Sequence, residues 1–268
     1  MSLPEGRSLW LEHDGVVLHA VDFEGSGPPV LLLHGLAGHA GEWTESASWL
    51  RKRHRVVSLD QRGHGASVRI PAVVTLEAFV SDVRAWADAL QLTTVALVGQ
   101  SFGGLIAFVT AAWHPGRVER LVVAEASPAP APRAERILRE WLESWPAPFP
   151  DESSALRFFG GDSLRARAWV GGLDAREDGL WPRFDREMML GALRTSAGEH
   201  WKAWDSIRCP TLVVRGEHGM PLEDAETMAG RLGTAVVATV PAASHDIHLE
   251  QPSEWRGIVE PFLDVGVQ

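Results

Sequence analysis

The stretch from Thr94 to Ala107, TVALVGQSFGGLIA, decides the fold. Val95 to Val98 is an unbroken apolar run, as a strand buried on both faces requires. Gly99-Gln100-Ser101-Phe102-Gly103 follows, and Leu105-Ile106-Ala107-Phe108 then opens a buried helix. Strand, Gly-x-Ser-x-Gly, helix is the context in which this pattern carries a mechanism. A sharp strand-to-helix turn forces the serine into a strained, exposed position, and flanking glycines leave room for it. Ser101 then stands at a helix N-terminus, where free N–H groups and the helix dipole favour negative charge. A hydroxyl there is placed to become an alkoxide and to carry an acyl group. The bare pattern arises by chance in roughly one chain in ten of this length, so its surroundings must carry the reading.

Those surroundings alternate strands with helices. Leu9 to His13 and Val16 to Glu24 flank Asp14-Gly15, a two-residue hairpin signal. An unbroken apolar run marks a buried strand at Pro29–Leu33, Arg55–Leu59 reads as another buried strand, and further strands are read at Val118–Ala124, Thr211–Val214 and Ala235–Val240. Helices are expected at Glu42–Lys52, Thr75–Leu92, Leu222–Leu232 and Ser253–Leu263. The second is the clearest, with Leu76, Phe79, Val80, Val83, Trp86, Ala87 and Leu90 on one stripe. The pattern breaks from Pro128 to about Asp205, where no buried strand is visible. Pro128, Pro130, Pro132, Pro146, Pro148 and Pro150 cluster there, and helical stretches carry Trp141, Trp145, Trp169, Trp181, Trp201 and Trp204. The expectation is an α/β fold. A mostly parallel eight-stranded sheet carries helices on both faces, and residues 128–205 form a helical cap inserted into a core of residues 1–127 and 206–268. The ligand site then belongs at the carboxyl ends of the strands. His34-Gly35, Asp60 to Gly65, Ser101, Glu125, Glu217 and the loop with His245 all fall there.

Composition narrows the function classes. The chain has 268 residues, a net charge of −10 and 45% hydrophobic residues, which reads as a globular domain. An acidic balance argues against nucleic acid and anionic membranes, since both need a basic face. No apolar run reaches the roughly 20 residues of a membrane span, and the N-terminus lacks the charged and apolar regions of a signal peptide. With a single cysteine, Cys209, no internal disulfide can form. Together these point to a cytoplasmic protein, with Cys209 as a small buried hydrophobe. The expected partner is a small-molecule substrate, and the chain is expected to be a monomer or homodimer.

The chain resembles the α/β-hydrolase superfamily over essentially its whole length. The matching motifs are His34-Gly35-Leu36-Ala37-Gly38, Asp60-Gln61-Arg62-Gly63-His64-Gly65, Gly99-Gln100-Ser101-Phe102-Gly103-Gly104 and the segment Ala243 to Pro252, ASHDIHLEQP. The resemblance implies a serine nucleophile, a helical cap between the sixth strand and the next helix, and no cofactor. It says little about substrate, because this fold hosts many reactions.

A serine needs a base within hydrogen-bond reach, and the base is expected on the loop after the last strand. His245 is assigned that role. His248 is expected to be a helix-start residue near the site mouth, and no third ligand suggests a metal pair. The acid that orients the histidine is less direct. The resemblance implies an aspartate a few residues into the turn after the penultimate strand, but in Arg215-Gly216-Glu217-His218-Gly219-Met220-Pro221 that slot reads Gly219 or Met220. Glu217 lies two residues early, about 6.6 Å along an extended chain. Glu125, at the end of the preceding strand, occupies the other position the family uses. Glu125 is favoured and Glu217 is the alternative. The N–H groups of Leu36 and Phe102 are expected to form the oxyanion hole. Asp60 and Arg62 are expected to hold the loop after the fourth strand, and His34 to be a hydrogen-bonded support. The expected activity is a serine hydrolase acting on a small apolar or aromatic carboxylic ester, lactone or thioester. The alternatives are a carbon–carbon bond hydrolase, lyase or cofactor-free perhydrolase on the same fold, and a ligand-binding receptor or pseudoenzyme. Ser101 excludes relatives with a carboxylate nucleophile.

Overall fold

A computed structural model of the chain describes residues 6–129 and 133–266. Residues 1–5 of the N-terminal segment and the prolines Pro130 and Pro132 lie outside the described residues. The chain starts with a hairpin of β1 (Arg7–His13) and β2 (Val16–Asp22). Its turn places both Asp14 (φ 49°) and Gly15 (φ 73°) in the left-handed region, as a two-residue turn matched to strand twist demands. Then come β3 (Pro29–Leu33), a 3-10 turn over Ala40–Trp43, α1 (Thr44–Leu50), β4 (Arg55–Asp60), α2 (Leu76–Ala89), β5 (Val95–Gln100), α3 (Phe102–Trp113) and β6 (Val118–Ala124). Thr75 caps α2 by accepting the Ala78 N–H, and the helix stops short of Leu92 because Gln91 turns left-handed (φ 57°).

After β6 the chain leaves the sheet. It forms α4 (Ala134–Ser144), α5 (Glu152–Phe158), α6 (Leu164–Gly171), the strands β7 (Leu173–Arg176) and β8 (Gly179–Pro182), α7 (Arg186–Thr195) and the single turn α8 (Trp201–Trp204). The antiparallel pair β7–β8 adds two short strands to a segment expected to form a helical cap. Its strands are four residues each and mostly only partly buried, too short for a periodic pattern to show. The chain returns through β9 (Thr211–Gly216), α9 (Leu222–Arg231), β10 (Ala235–Val240), α10 (Ile247–Glu250) and α11 (Pro252–Asp264).

The main sheet has eight strands in the order β1-β2-β4-β3-β5-β6-β9-β10. β1 and β2 are antiparallel, and every neighbouring pair from β4 to β10 is parallel. Successive residues along a strand face opposite sides, so the apolar runs divide between two cores. Leu31, Leu33, Leu97 and Val123 pack toward α2 and α3 on one face, where Trp204 and Met228 also lie. Val30, Leu32, Val98 and Val122 face α1 and α11 on the other, against Trp43, Trp49 and Trp255. Cutting any of these buried leucines to alanine costs about 2–5 kcal/mol. β5 is buried at all six positions and sits mid-sheet, so the residue after it inherits a rigid mounting. Cys209 is buried, and burial pushes its thiol pKa up. Among the described residues no helix is long and apolar enough to cross a membrane.

Candidate active site

Ser101 follows β5 directly and opens α3 with φ 52° and ψ −119°, a conformation rare for a residue with a side chain. The turn closes tightly enough that a Cβ on Gly99 would lie 2.2 Å from the Gly103 carbonyl oxygen, and one on Gly103 would lie 2.3 Å from that of Leu33. Both glycines are required by close approach. The Ser101 hydroxyl makes no capping bond to the helix it opens, so it is not committed to α3. Ser101 belongs to a pattern: Ala37 after β3 (φ 63°), Glu125 after β6 (φ 52°) and Ala242 after β10 (φ 51°) are also left-handed. Each such residue costs about 1–3 kcal/mol. Four loops at one end of the sheet carry that strain.

The Glu125 carboxylate is buried and held by the neighbouring loop. The Gly216 N–H donates to Oε1 at 2.7 Å, and the Met220 N–H lies 3.0 Å from both oxygens. Oε2 is 3.4 Å from Nδ1 of His245. A Cβ on Gly219 would fall 2.3–2.4 Å from the Glu125 carboxylate atoms. The Glu125 carboxylate therefore fills the space a side chain at 219 would take. Arg215 fixes this loop by donating to the carbonyls of Met220 (2.6 Å) and Glu217 (2.9 Å). Neither Arg62 nor Arg215 pairs with Glu125. Glu217 is exposed and instead accepts the Ala242 N–H at 2.8 Å.

His245 is brought to the elbow by Gln100, whose side-chain amide donates to the His245 carbonyl at 2.9 Å. Burial disfavours the imidazolium. The Glu125 hydrogen bond and the charges of Asp246, Glu125 and Glu250 outweigh it and hold the imidazole pKa above its ordinary value. Solvent reaches 58% of the side chain, which weakens both the burial penalty and the attraction and leaves the direction upward. His248 is not at the mouth of the site. It is buried, stacked on Trp43 at 4.2 Å, with Nε2 3.5 Å from Glu42. The correction has a simple cause: α10 is one turn long and its apolar side, Ile247 to Leu249, turns inward with the histidine.

The loop after β3 lies against Ser101, since a Cβ on Gly35 would sit 3.4 Å from Ser101 Cβ and 2.4 Å from Gln100 Oε1. His34 accepts the Gln61 N–H on Nε2 at 3.1 Å, so its proton is on Nδ1, which donates to the Gly35 carbonyl at 2.8 Å. Burial keeps this ring neutral by lowering its pKa. The Gly38 N–H donates to the same carbonyl at 3.2 Å. The Gly35 carbonyl and the Leu36 N–H belong to one planar peptide unit and point opposite ways, so pinning the first aims the second. Phe102 is the first residue of α3, and its N–H has no intrahelical acceptor.

Asp60 and Arg62 support the loop after β4. Asp60 accepts the Ala40 and Ala66 N–H groups at 2.6 and 2.9 Å and bonds His19 at 2.7 Å. Burial opposes its charge, but the bonds to His19, Ala66 and Ala40 hold its pKa at about 2. Arg62 grips Asp82 with two bonds of 2.6 and 2.7 Å. Over the site's edge, the insert packs Trp141, Trp145, Trp169, Phe149, Phe159 and Phe184 edge-to-face and stacked. Trp204 instead joins the core on Phe108. Sequence reasoning missed Gln100 and Arg165, which leave no signal in the pattern; Gly219 showed as an empty slot where an acid was expected.

The sequence profile of the alpha/beta hydrolase fold matches residues 28–252. The chain belongs to that family. It is 27% identical over 260 residues to (E)-2-((N-methylformamido)methylene)succinate hydrolase of Acinetobacter baylyi, covering 90% of this chain and 92% of the relative. It is 31% identical over 260 residues to pimeloyl-[acyl-carrier protein] methyl ester esterase of Chromobacterium violaceum, covering 90% and 96%. The solved structure of E-2-(acetamidomethylene)succinate hydrolase superposes with a TM-score of 0.88 over 97% of this chain and 99% of that one, at 22% identity, which shows the shared fold. Hydrolase chemistry is what this kinship supports.

Proposed function

We propose that the chain is a serine hydrolase that cleaves a small apolar or aromatic carboxylic ester, lactone or thioester through an acyl-enzyme. The observation that carries this reading is the buried Glu125 carboxylate, 3.4 Å from His245 Nδ1, beside a strained Ser101 turn. In this mechanism Glu125 holds the proton of His245 on Nδ1, which leaves Nε2 free to accept the Ser101 proton. Ser101 attacks the acyl carbon, and the N–H groups of Leu36 and Phe102 stabilise the oxyanion. His245 returns the proton to the leaving group. It then activates a water that releases the acid and restores Ser101. The insert, residues 128–205, acts as the cap, and its aromatic cluster favours apolar or aromatic acyl groups over sugars. No cofactor enters any step.

One relative is named as a methyl ester esterase, which supports this reading, and another as a substituted succinate hydrolase. The second name is not that of an ester. It favours, as a second reading, the same serine acting on another bond. The test is a panel of para-nitrophenyl esters and a fluorophosphonate probe. The wild type should turn over short or aromatic esters and take the label at Ser101. Ser101→Ala should lose both while its thermal midpoint stays within a few degrees. Ester turnover retained in Ser101→Ala would refute the mechanism; labelling without ester turnover would move the reading to the second bond class.

A further inference from the structure

The residue after His245 ties the insert to the site. Asp246 is buried, and its Oδ2 accepts two bonds from α6: Arg165 Nε at 2.8 Å and Trp169 Nε1 at 3.1 Å. Arg165 also lies 3.8 Å from Glu250. Glu250 holds the other neighbour of His245, accepting the Ser244 N–H at 2.6 Å and its hydroxyl at 2.7 Å. Both flanks of the histidine are therefore fixed while its ring stays accessible. Trp169 belongs to the aromatic cluster, 5.3 Å from Trp141, 5.7 Å from Trp145 and stacked on Phe159 at 6.0 Å. The same helix is tethered a second time. His39 accepts the Gly41 N–H on Nδ1, so its Nε2 proton goes to the Ala168 carbonyl, 2.8 Å away. His39 follows the loop that carries Leu36. One two-turn helix thus touches both the loop of the base and the loop of the oxyanion donor.

We propose that Asp246 is a positioning residue: through Arg165 and Trp169 it braces the loop of His245 against α6, so that the aromatic cluster and the general base hold one fixed geometry. The inference rests on His245 being the base. It has an electrostatic corollary. The charged groups that act on the imidazole are Glu125 from the end of β6 and Asp246 and Glu250 from its own loop and α10, and Arg165 from α6 pairs with the last two. His248, also on α10, is separately buried against Glu42. Asp246 favours the imidazolium, and Arg165, paired with Asp246 and Glu250, offsets part of their pull, so deleting each should move the histidine in opposite directions. Loss of packing alone has no such pair of signs.

The experiment titrates His245 by NMR in the full-length chain and measures kcat and KM on the best ester of the panel. In Asp246→Asn, which keeps the shape, His245 should titrate at lower pH than in wild type. The acidic limb of kcat/KM should follow it down, and kcat should fall roughly ten- to a hundredfold. In Arg165→Met both should move to higher pH. Trp169→Phe, which keeps the ring but loses the donor, should lower kcat and leave the titration in place. Wild-type titration and kcat in Asp246→Asn would overturn the proposal. If that variant does not fold, an unmoved titration in Arg165→Met does the same. The NMR titration needs no turnover. A wild type that neither labels nor hydrolyses esters therefore refutes the acyl-enzyme reading, while unshifted variants of an active wild type refute only this inference.

Discussion

The carboxyl ends of β6 and β9 are neighbours in the sheet, and each is followed by a glutamate, yet the two side chains differ in every respect that matters here. Glu125 is buried, accepts N–H bonds from the other strand's loop and reaches His245. Glu217 is exposed and props up the Ala242 backbone. What separates them is the supply of donors. The loop after β9 turns its Gly216 and Met220 N–H groups toward β6 rather than toward its own glutamate. A buried carboxylate stays ionised only where such donors meet it. The position that aspartate takes in the resembling pattern is glycine here, and the space it leaves is filled from β6. An acid has moved between strands while its point of action has not.

The sharpest attempt to break this contrast is Glu125→Gln. The Gly216 N–H points at Oε1, whereas the Met220 N–H is shared by both oxygens, so the glutamine oxygen sits at the Oε1 position and its NH2 faces His245. That amide donates to Nδ1 and forces the imidazole proton onto Nε2, where it blocks transfer from Ser101. We expect kcat to fall by roughly 10³–10⁴, as for a triad held in the wrong tautomer, with little loss of stability. The pH profile supplies a second readout. His245 must be neutral to act, and its pKa lies above the ordinary histidine value, with burial opposing and the Glu125 bond leading the upward pull. Wild-type kcat/KM should therefore fall as pH drops through a point above the usual histidine range, and the residual activity of the variant should fall at lower pH.

Gly219 gives the next largest effect. In Gly219→Ala the new methyl would meet a carboxylate held at both oxygens, so the cost is overpacking of about 1–3 kcal/mol. We expect a lower thermal midpoint and a loss of kcat of roughly ten- to a hundredfold, because Glu125 must withdraw from His245. The stricter version rebuilds the other arrangement. Glu125→Gly combined with Gly219→Asp should recover at least about tenfold of the activity lost in Glu125→Gly alone. No recovery would mean that the emptied slot does not aim at His245.

Much of this was legible because it depends on local rules. The elbow, the hairpin and the strands follow from glycines at turns and close approaches and from local strand patterning, and β6 and β10 begin and end where that patterning does. The glutamate at the end of β6 could be favoured because the other slot was visibly empty. The remainder depends on contacts across many residues. Gln100 reaches His245 across 145 positions and Arg165 reaches Asp246 across 81, and no periodicity encodes such a pair. His248 was expected at the helix start near the mouth of the site; it is at the helix start, but its burial against Trp43 is decided by how a single helical turn seats itself. The β7–β8 pair was hidden for a different reason: four half-exposed residues per strand carry too little pattern to register.

The smallest expected effect is also the one that would hurt the comparison most if it proved large. In Glu217→Gln the amide oxygen can still accept the Ala242 N–H, the site is exposed, and stability should change by less than about 0.5 kcal/mol. kcat should stay within about threefold of wild type, with the pH profile in place. Glu217→Ala removes the acceptor altogether. It frees the strained Ala242 backbone three residues before His245, so a few-fold loss of kcat is expected there through looser placement of the base. That loss should come with no shift of the acidic limb, because Glu217 is not among the charges that act on His245. A collapse of Glu217→Gln to the level of Glu125→Gln, or a moved limb in Glu217→Ala, would mean that the working carboxylate belongs to β9 and that the buried one is only a brace.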